Sequence, residues 1–108
     1  MATKGIIYTK IDGRGTGFQS DEHMFEIYKK LGQVEVEDQK TVVRKLGEIH
    51  GFIDKEKVGI WGWSYGGFVT TMALEKDMGP DSLFKCGIAG RLAYQGYCNF
   101  FLFIQWPL

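Results

Sequence analysis

An excess of charge of either sign is missing from this sequence. Thirteen basic side chains balance thirteen acidic ones, and no stretch concentrates lysine and arginine. A surface without a net field does not recruit nucleic acid or anionic lipid, which argues against nucleic-acid binding. Cysteine is sparse too: Cys86 and Cys98 are too few for a disulfide scaffold and lack the spacing of a metal site. Long apolar runs are absent. The longest, Phe100 to Ile104, has five residues, far short of a bilayer span, and Met1 to Gly5 lacks the apolar core of a signal peptide. If the chain is a piece of a longer protein, that says nothing of where the parent resides, so its location stays open. Histidine occurs only as His23 and His50, each on or beside a polar helix surface, where solvated side chains are the default.

What is present is ordinary globular composition, 44% hydrophobic and 24% charged, with room for one small domain in 108 residues. Residues 5–11 read as a short buried strand, since Ile6, Ile7, Tyr8 and Thr9 are β-prone and contiguous. Alternating glycines at 13, 15 and 17 end it as a loop. A short helix is expected over residues 21–31. A longer amphipathic one is expected from Glu35 to Ile49, with Val42, Leu46 and Ile49 on its apolar face and Glu35, Glu37 and Asp38 near its start. Residues 51–57 turn into a second buried strand, Val58 to Trp61. Tyr65 to Lys76 follows as a helix, stopped by Gly79-Pro80-Asp81, and Phe84 to Ala89 forms a third strand. The expectation is a βαβαβ unit with a parallel sheet and helices on both faces. Residues 90–108 differ: aromatic, with Arg91 the only charge and no clean period. Phe100 to Ile104 is uncharged and β-prone, the composition of an aggregation-prone window.

Gly62-Trp63-Ser64-Tyr65-Gly66 matches G-x-S-x-G between the second strand and its helix. The spacing has a chemical reason. A nucleophilic serine must stand on a tight strand-to-helix turn so that its hydroxyl projects from the sheet edge. Such a turn crowds the residues two before and two after, where glycine removes the colliding Cβ atoms. Gly67 lets the helix approach the strand, and the Tyr65 N–H at the helix N-terminus is placed to donate to an oxyanion. Ser64 is therefore the candidate nucleophile and Tyr65 the candidate oxyanion-hole donor.

The wider string from Gly59 to Gly67 resembles the active-site segment of the dipeptidyl peptidase IV and fibroblast activation protein branch of the prolyl oligopeptidases. Asp12-Gly13-Arg14-Gly15, Lys30-Leu31-Gly32, Val36-Glu37-Asp38-Gln39 and Phe84 to Ala89 are similar to that branch in the same order and at similar spacing. The resemblance covers residues 5–89 and implies part of an α/β-hydrolase catalytic domain over residues 1–89, followed by a divergent apolar tail, 90–108. It implies a serine peptidase that releases N-terminal dipeptides with penultimate proline or alanine, acylated at Ser64, with neither metal nor organic cofactor. The Tyr65 ring would line the proline pocket. Members of the branch homodimerise and work at the plasma membrane or outside the cell.

The same resemblance defines what is not in these 108 residues. The acid and histidine of such a triad follow the serine in the order Ser, Asp, His. After Ser64 the sequence has only Glu75, Asp77 and Asp81 as acids, and no histidine. The reading that competes with a peptidase is therefore a truncated, inactive product. Glu35 and Glu37 look like the branch's substrate-binding glutamate pair but sit in another part of its pattern, and are read as helix N-terminal acids. Cys86 matches a cysteine the branch pairs far downstream; here it is read as a free, buried thiol.

Overall fold

The computed structural model describes residues 5–17 and 20–90, together with the backbone of residues 102 and 103. Ser20 opens helix α1 (Asp21–Phe25), its hydroxyl accepting the His23 N–H at 3.1 Å while Asp21 and Glu22 occupy the positive end of the dipole. The sequence suggested a helix to residue 31. Instead the chain breaks into single turns, with Lys29 at φ 58, because it must reverse to enter the next helix.

Helix α2 (Val34–Ile49) starts without a side-chain cap on Gln33. Glu35 substitutes by reaching back. Its carboxylate accepts the N–H of Gly32 at 2.5 Å and of Gln33 at 3.1 Å, groups that a helix start otherwise leaves without partners. The buried face of α2 runs through Glu35, Val36, Lys40 and Gly47, with Val43 half-buried. Ile49, expected on the apolar face, is exposed, because α2 ends there and His50 turns the chain away.

Lys55–Lys57 forms a 3-10 turn that Asp54 caps by accepting the Glu56 N–H at 3.0 Å. Strand β1 (Gly59–Trp63), helix α3 (Tyr65–Lys76) and strand β2 (Cys86–Gly90) follow. The two strands are parallel, from Gly59 opposite Cys86 to Trp63 opposite Gly90. A helical crossover between neighbouring parallel strands is the connection such a pair requires. Strand β3 (Leu102–Phe103) pairs antiparallel with the other side of β2, so the order is β1-β2-β3. The rest of the apolar tail, including Phe100, Phe101, Ile104 and Cys98, lies outside the described residues.

Two sequence expectations are corrected here. Three parallel strands were expected; among the described residues only β1 and β2 are parallel, and residues 5–11 form no strand. Ile6, Ile7 and Tyr8 are all more than half exposed. That segment runs beside the sheet, its Tyr8 ring 6.2 Å from that of Trp61 and its Ile11 carbonyl held by Gln39 at 3.2 Å, without forming a ladder. β-prone residues become a strand only where an edge offers hydrogen bonds and a layer covers the side chains. Helices were also expected on both faces. Among the described residues, α3 packs directly on β1 and β2, and α2 packs on α3. Val36, Ala73 and Phe84 form the core there, joined by Val43, Val58, Ile60, Val69, Met72, Leu74 and Leu83. The opposite face presents Trp61, Trp63 and Ile88 to solvent.

Candidate active site

Ser64 occupies the one-residue turn between β1 and α3, at φ 54 and ψ −117. A positive φ is rare for a residue with a Cβ, and holding one there costs of order 1–3 kcal/mol that the surroundings must offset. They do so on three sides. The Ser64 N–H donates to the Gly90 carbonyl at 2.9 Å, extending the pairing by one bond past β1's end, and its own carbonyl accepts the Phe68 N–H at 3.2 Å, opening α3. Gly62 supplies the third restraint: a Cβ there would land on the backbone of Gly66.

The steric argument from the motif thus holds at Gly62. At Gly66 it does not, since a Cβ there would meet nothing within 4 Å. Gly67 behaves as expected and more, because its Cβ would sit 2.7 Å from the Gly90 carbonyl and 3.4 Å from that of Gly62. α3 therefore lies close against the ends of both parallel strands.

The Ser64 side chain makes no capping bond to α3, although serine at a helix start commonly does. Its hydroxyl is not committed to holding the helix. Tyr65 is the first residue of α3, and the first N–H groups of a helix have no acceptor within it. A backbone donor adjacent to a serine on a strained turn can donate to an oxyanion.

The Tyr65 side chain points toward α2. Its hydroxyl donates to Glu35 Oε1 at 2.5 Å, and its ring packs on Phe68 with centroids 5.6 Å apart. Partial burial and the neighbouring carboxylate push the phenol pKa well above its ordinary value. Glu35 is thus the helix N-terminal acid that the sequence indicated, and it also reaches the elbow. Nothing in the sequence pointed to that contact between residues thirty apart. Around it, Lys76 Nζ donates to the Gly32 carbonyl at 2.5 Å, and Gly32, at φ 77, comes close enough that a Cβ would sit 3.1 Å from the Phe68 ring.

The remaining motif residues are structural. Arg14 grips Asp38 through its backbone N–H at 2.8 Å, Nε at 3.0 and 3.1 Å, and Nη2 at 2.7 Å. That fork holds the Asp38 carboxyl below its usual range. Gly13 is needed beside it, since a Cβ would stand 3.0 Å from that of Asp38. Asp77 accepts the Phe84 N–H at 2.9 Å and lies 3.7 Å from Lys40 Nζ, tying the end of α3 to α2 and to the approach of β2. Both histidines are engaged elsewhere: His23 bonds the Gly13 carbonyl at 3.0 Å, and His50 closes α2 with its ring tilted against that of Phe52, centroids 5.3 Å apart. Cys86 is half-buried rather than buried, and among the described residues it has no disulfide partner.

Comparison with known proteins places this geometry. The prolyl oligopeptidase family matches residues 1–95. Venom dipeptidyl peptidase 4 of Vespa velutina is 55% identical over 86 residues, 80% of this chain and 11% of that protein. Prolyl endopeptidase FAP of Mus musculus is 56% identical over 90 residues, 82% of this chain and 11% of the relative. Dipeptidyl peptidase 4 of Bos taurus is 48% identical over 88 residues, with the same coverage of each chain. The chain thus spans about a ninth of the length of these relatives. The family implies an α/β-hydrolase fold, and the parallel pair β1 and β2 with α3 between them is a part of it. With a family match across most of its length and relatives about 55% identical, the chain belongs to the prolyl oligopeptidase family.

Proposed function

We propose that this chain carries the acylation centre of a serine peptidase of the dipeptidyl-peptidase type. Ser64 Oγ is the nucleophile, and the Tyr65 N–H donates to the oxyanion formed when that oxygen adds to the scissile carbonyl. The substrates are peptides whose second residue is proline or alanine, a class supported by similarity to proteins named dipeptidyl peptidase and prolyl endopeptidase. The Tyr65 ring forms one wall of the pocket for that residue. The observation that carries the reading is the backbone of Ser64, at φ 54 on a strand-to-helix turn with its hydroxyl uncommitted to the helix.

A specific observation favours a second reading for the 108 residues by themselves. A serine needs a base to take its proton. Both histidines are engaged elsewhere, and neither follows Ser64. On this reading the 108 residues by themselves do not turn over a peptide. One assay separates the two. The 108-residue protein should not hydrolyse a Gly-Pro reporter amide measurably, because losing the base from such a triad costs several orders of magnitude in rate. Turnover abolished by Ser64→Ala would defeat the inactive reading and make His50 the first candidate base.

A further inference from the structure

Glu35 serves two backbone N–H groups and one side chain. The backbone pair, Gly32 and Gln33, explains an acid at this point of a helix. The third donor does not belong to that helix at all. The hydroxyl of Tyr65, thirty residues on, reaches the same carboxylate. Glu35 is only 7% exposed, so its charge rests on these donors rather than on water. Tyr65 is 38% exposed, and its ring has a neighbour on one side in Phe68. A ring so open could rotate about its Cα–Cβ bond; tied at its far end, it cannot swing without breaking a charge-assisted bond. The anchor is itself braced, since the loop that carries it is held to α3 by Lys76 on the Gly32 carbonyl.

We propose that Glu35 is a positioning residue for the acylation centre, pinning the Tyr65 ring beside Ser64 and so setting the wall against which the substrate's second residue packs. This rests on the functional reading above. Glu35 touches no reacting atom; it acts through the ring. Its loss should therefore change which acyl groups fit more than it changes how Ser64 reacts.

The test uses two phosphonate diphenyl esters with the same leaving group, one bearing a pyrrolidine ring and one an open chain of equal carbon number. In each, Ser64 Oγ bonds to phosphorus as one P–OPh bond breaks, and the hydroxyl proton is passed by solvent to the departing phenoxide, which leaves as phenol. In Glu35→Gln the ratio of labelling rates, pyrrolidine over open chain, should fall about five-fold, the factor that one hydrogen bond of ordinary net strength supplies. Tyr65→Phe should show the same fall with Glu35 still bonded to its two backbone donors, and the double variant should fall no further. General destabilisation would slow both probes equally, so an unchanged ratio in both single variants overturns the proposal. If wild-type Ser64 reacts with neither probe, as the missing base leads one to expect for these 108 residues, the tie itself is decided by NMR. The Tyr65 Cζ resonance, identified by its absence in Tyr65→Phe, should shift in Glu35→Gln; a resonance that does not move overturns the tie.

Discussion

At the scale of single residues, Ser64 spends backbone stability on the placement of its hydroxyl. Its φ of 54 would suit glycine, and its side chain returns nothing to α3 as a cap. Two substitutions separate these effects. Ser64→Ala should leave thermal stability within about 0.5 kcal/mol, since no hydrogen bond to the helix is lost. Ser64→Gly should be the more stable of the two by about 1 kcal/mol, because it removes the Cβ from a disfavoured conformation. Urea unfolding of both against the parent decides the point, and a glycine variant less stable than the alanine one would show that the turn is relaxed. Much of this residue's setting was legible in the sequence, because G-x-S-x-G encodes close approach through its glycines. The open space around Gly66 was not, since the motif cannot say which of its two glycines bears the contact.

Among the elements, α2 is the hub, and its first two turns collect four long-range polar anchors. Asp38 receives the Arg14 fork, Gln39 holds the Ile11 carbonyl, Glu35 reaches Tyr65 and Lys40 faces Asp77. The Arg14 tie has a definite pH signature. The guanidinium hydrogen bonds lower the Asp38 pKa in the folded state, so the pair's stabilisation is complete above the ordinary carboxylate value of about 3.9. It is lost as pH falls from there through the depressed folded value. The gap in melting temperature between the wild type and Asp38→Asn should therefore be constant from pH 7 to pH 5 and close below about pH 4. Arg14 is 40% exposed, so the gap will be modest and smaller in high salt. A gap that persisted at pH 2 would mean that the packing against Gly13, rather than charge, docks the loop. The sequence showed Asp12-Gly13-Arg14-Gly15 and Val36-Glu37-Asp38-Gln39 as separate motifs, and the structure shows that they are two sides of one contact. Helix and strand boundaries around β1, α3 and β2 were readable because apolar period and glycine punctuation agree there. Residues 5–11 misled because their composition is that of a strand, whereas strand formation depends on a neighbouring edge that composition does not contain.

At the scale of the molecule, the layers formed by the described residues are asymmetric. α3 and α2 stack on one face of the parallel pair, while Trp61 (57% exposed), Trp63 (61%) and Ile88 (57%) stand on the other, with Tyr8 beside Trp61. Trp61 and Ile88 are directly opposed across the two strands, so these side chains form one contiguous patch rather than scattered surface apolars. Patches of this kind are interaction surfaces or aggregation liabilities. Among the described residues β1 pairs only with β2, so its outer edge offers a second route to association, through backbone hydrogen bonds. The two routes respond differently to substitution. Trp61→Thr with Ile88→Thr places β-prone, β-branched residues in both strands and leaves the backbone edge untouched, while removing the centre of the apolar face. If the face is the adhesive surface, the 108-residue protein should self-associate at micromolar concentration and bind a hydrophobic dye, and the double variant should do both markedly less. Sedimentation velocity and dye fluorescence measure this, with far-ultraviolet circular dichroism confirming that the helices persist. Undiminished association in a folded double variant would instead assign it to the edge of β1, and a charged residue or proline in that strand would then be the change that suppresses it.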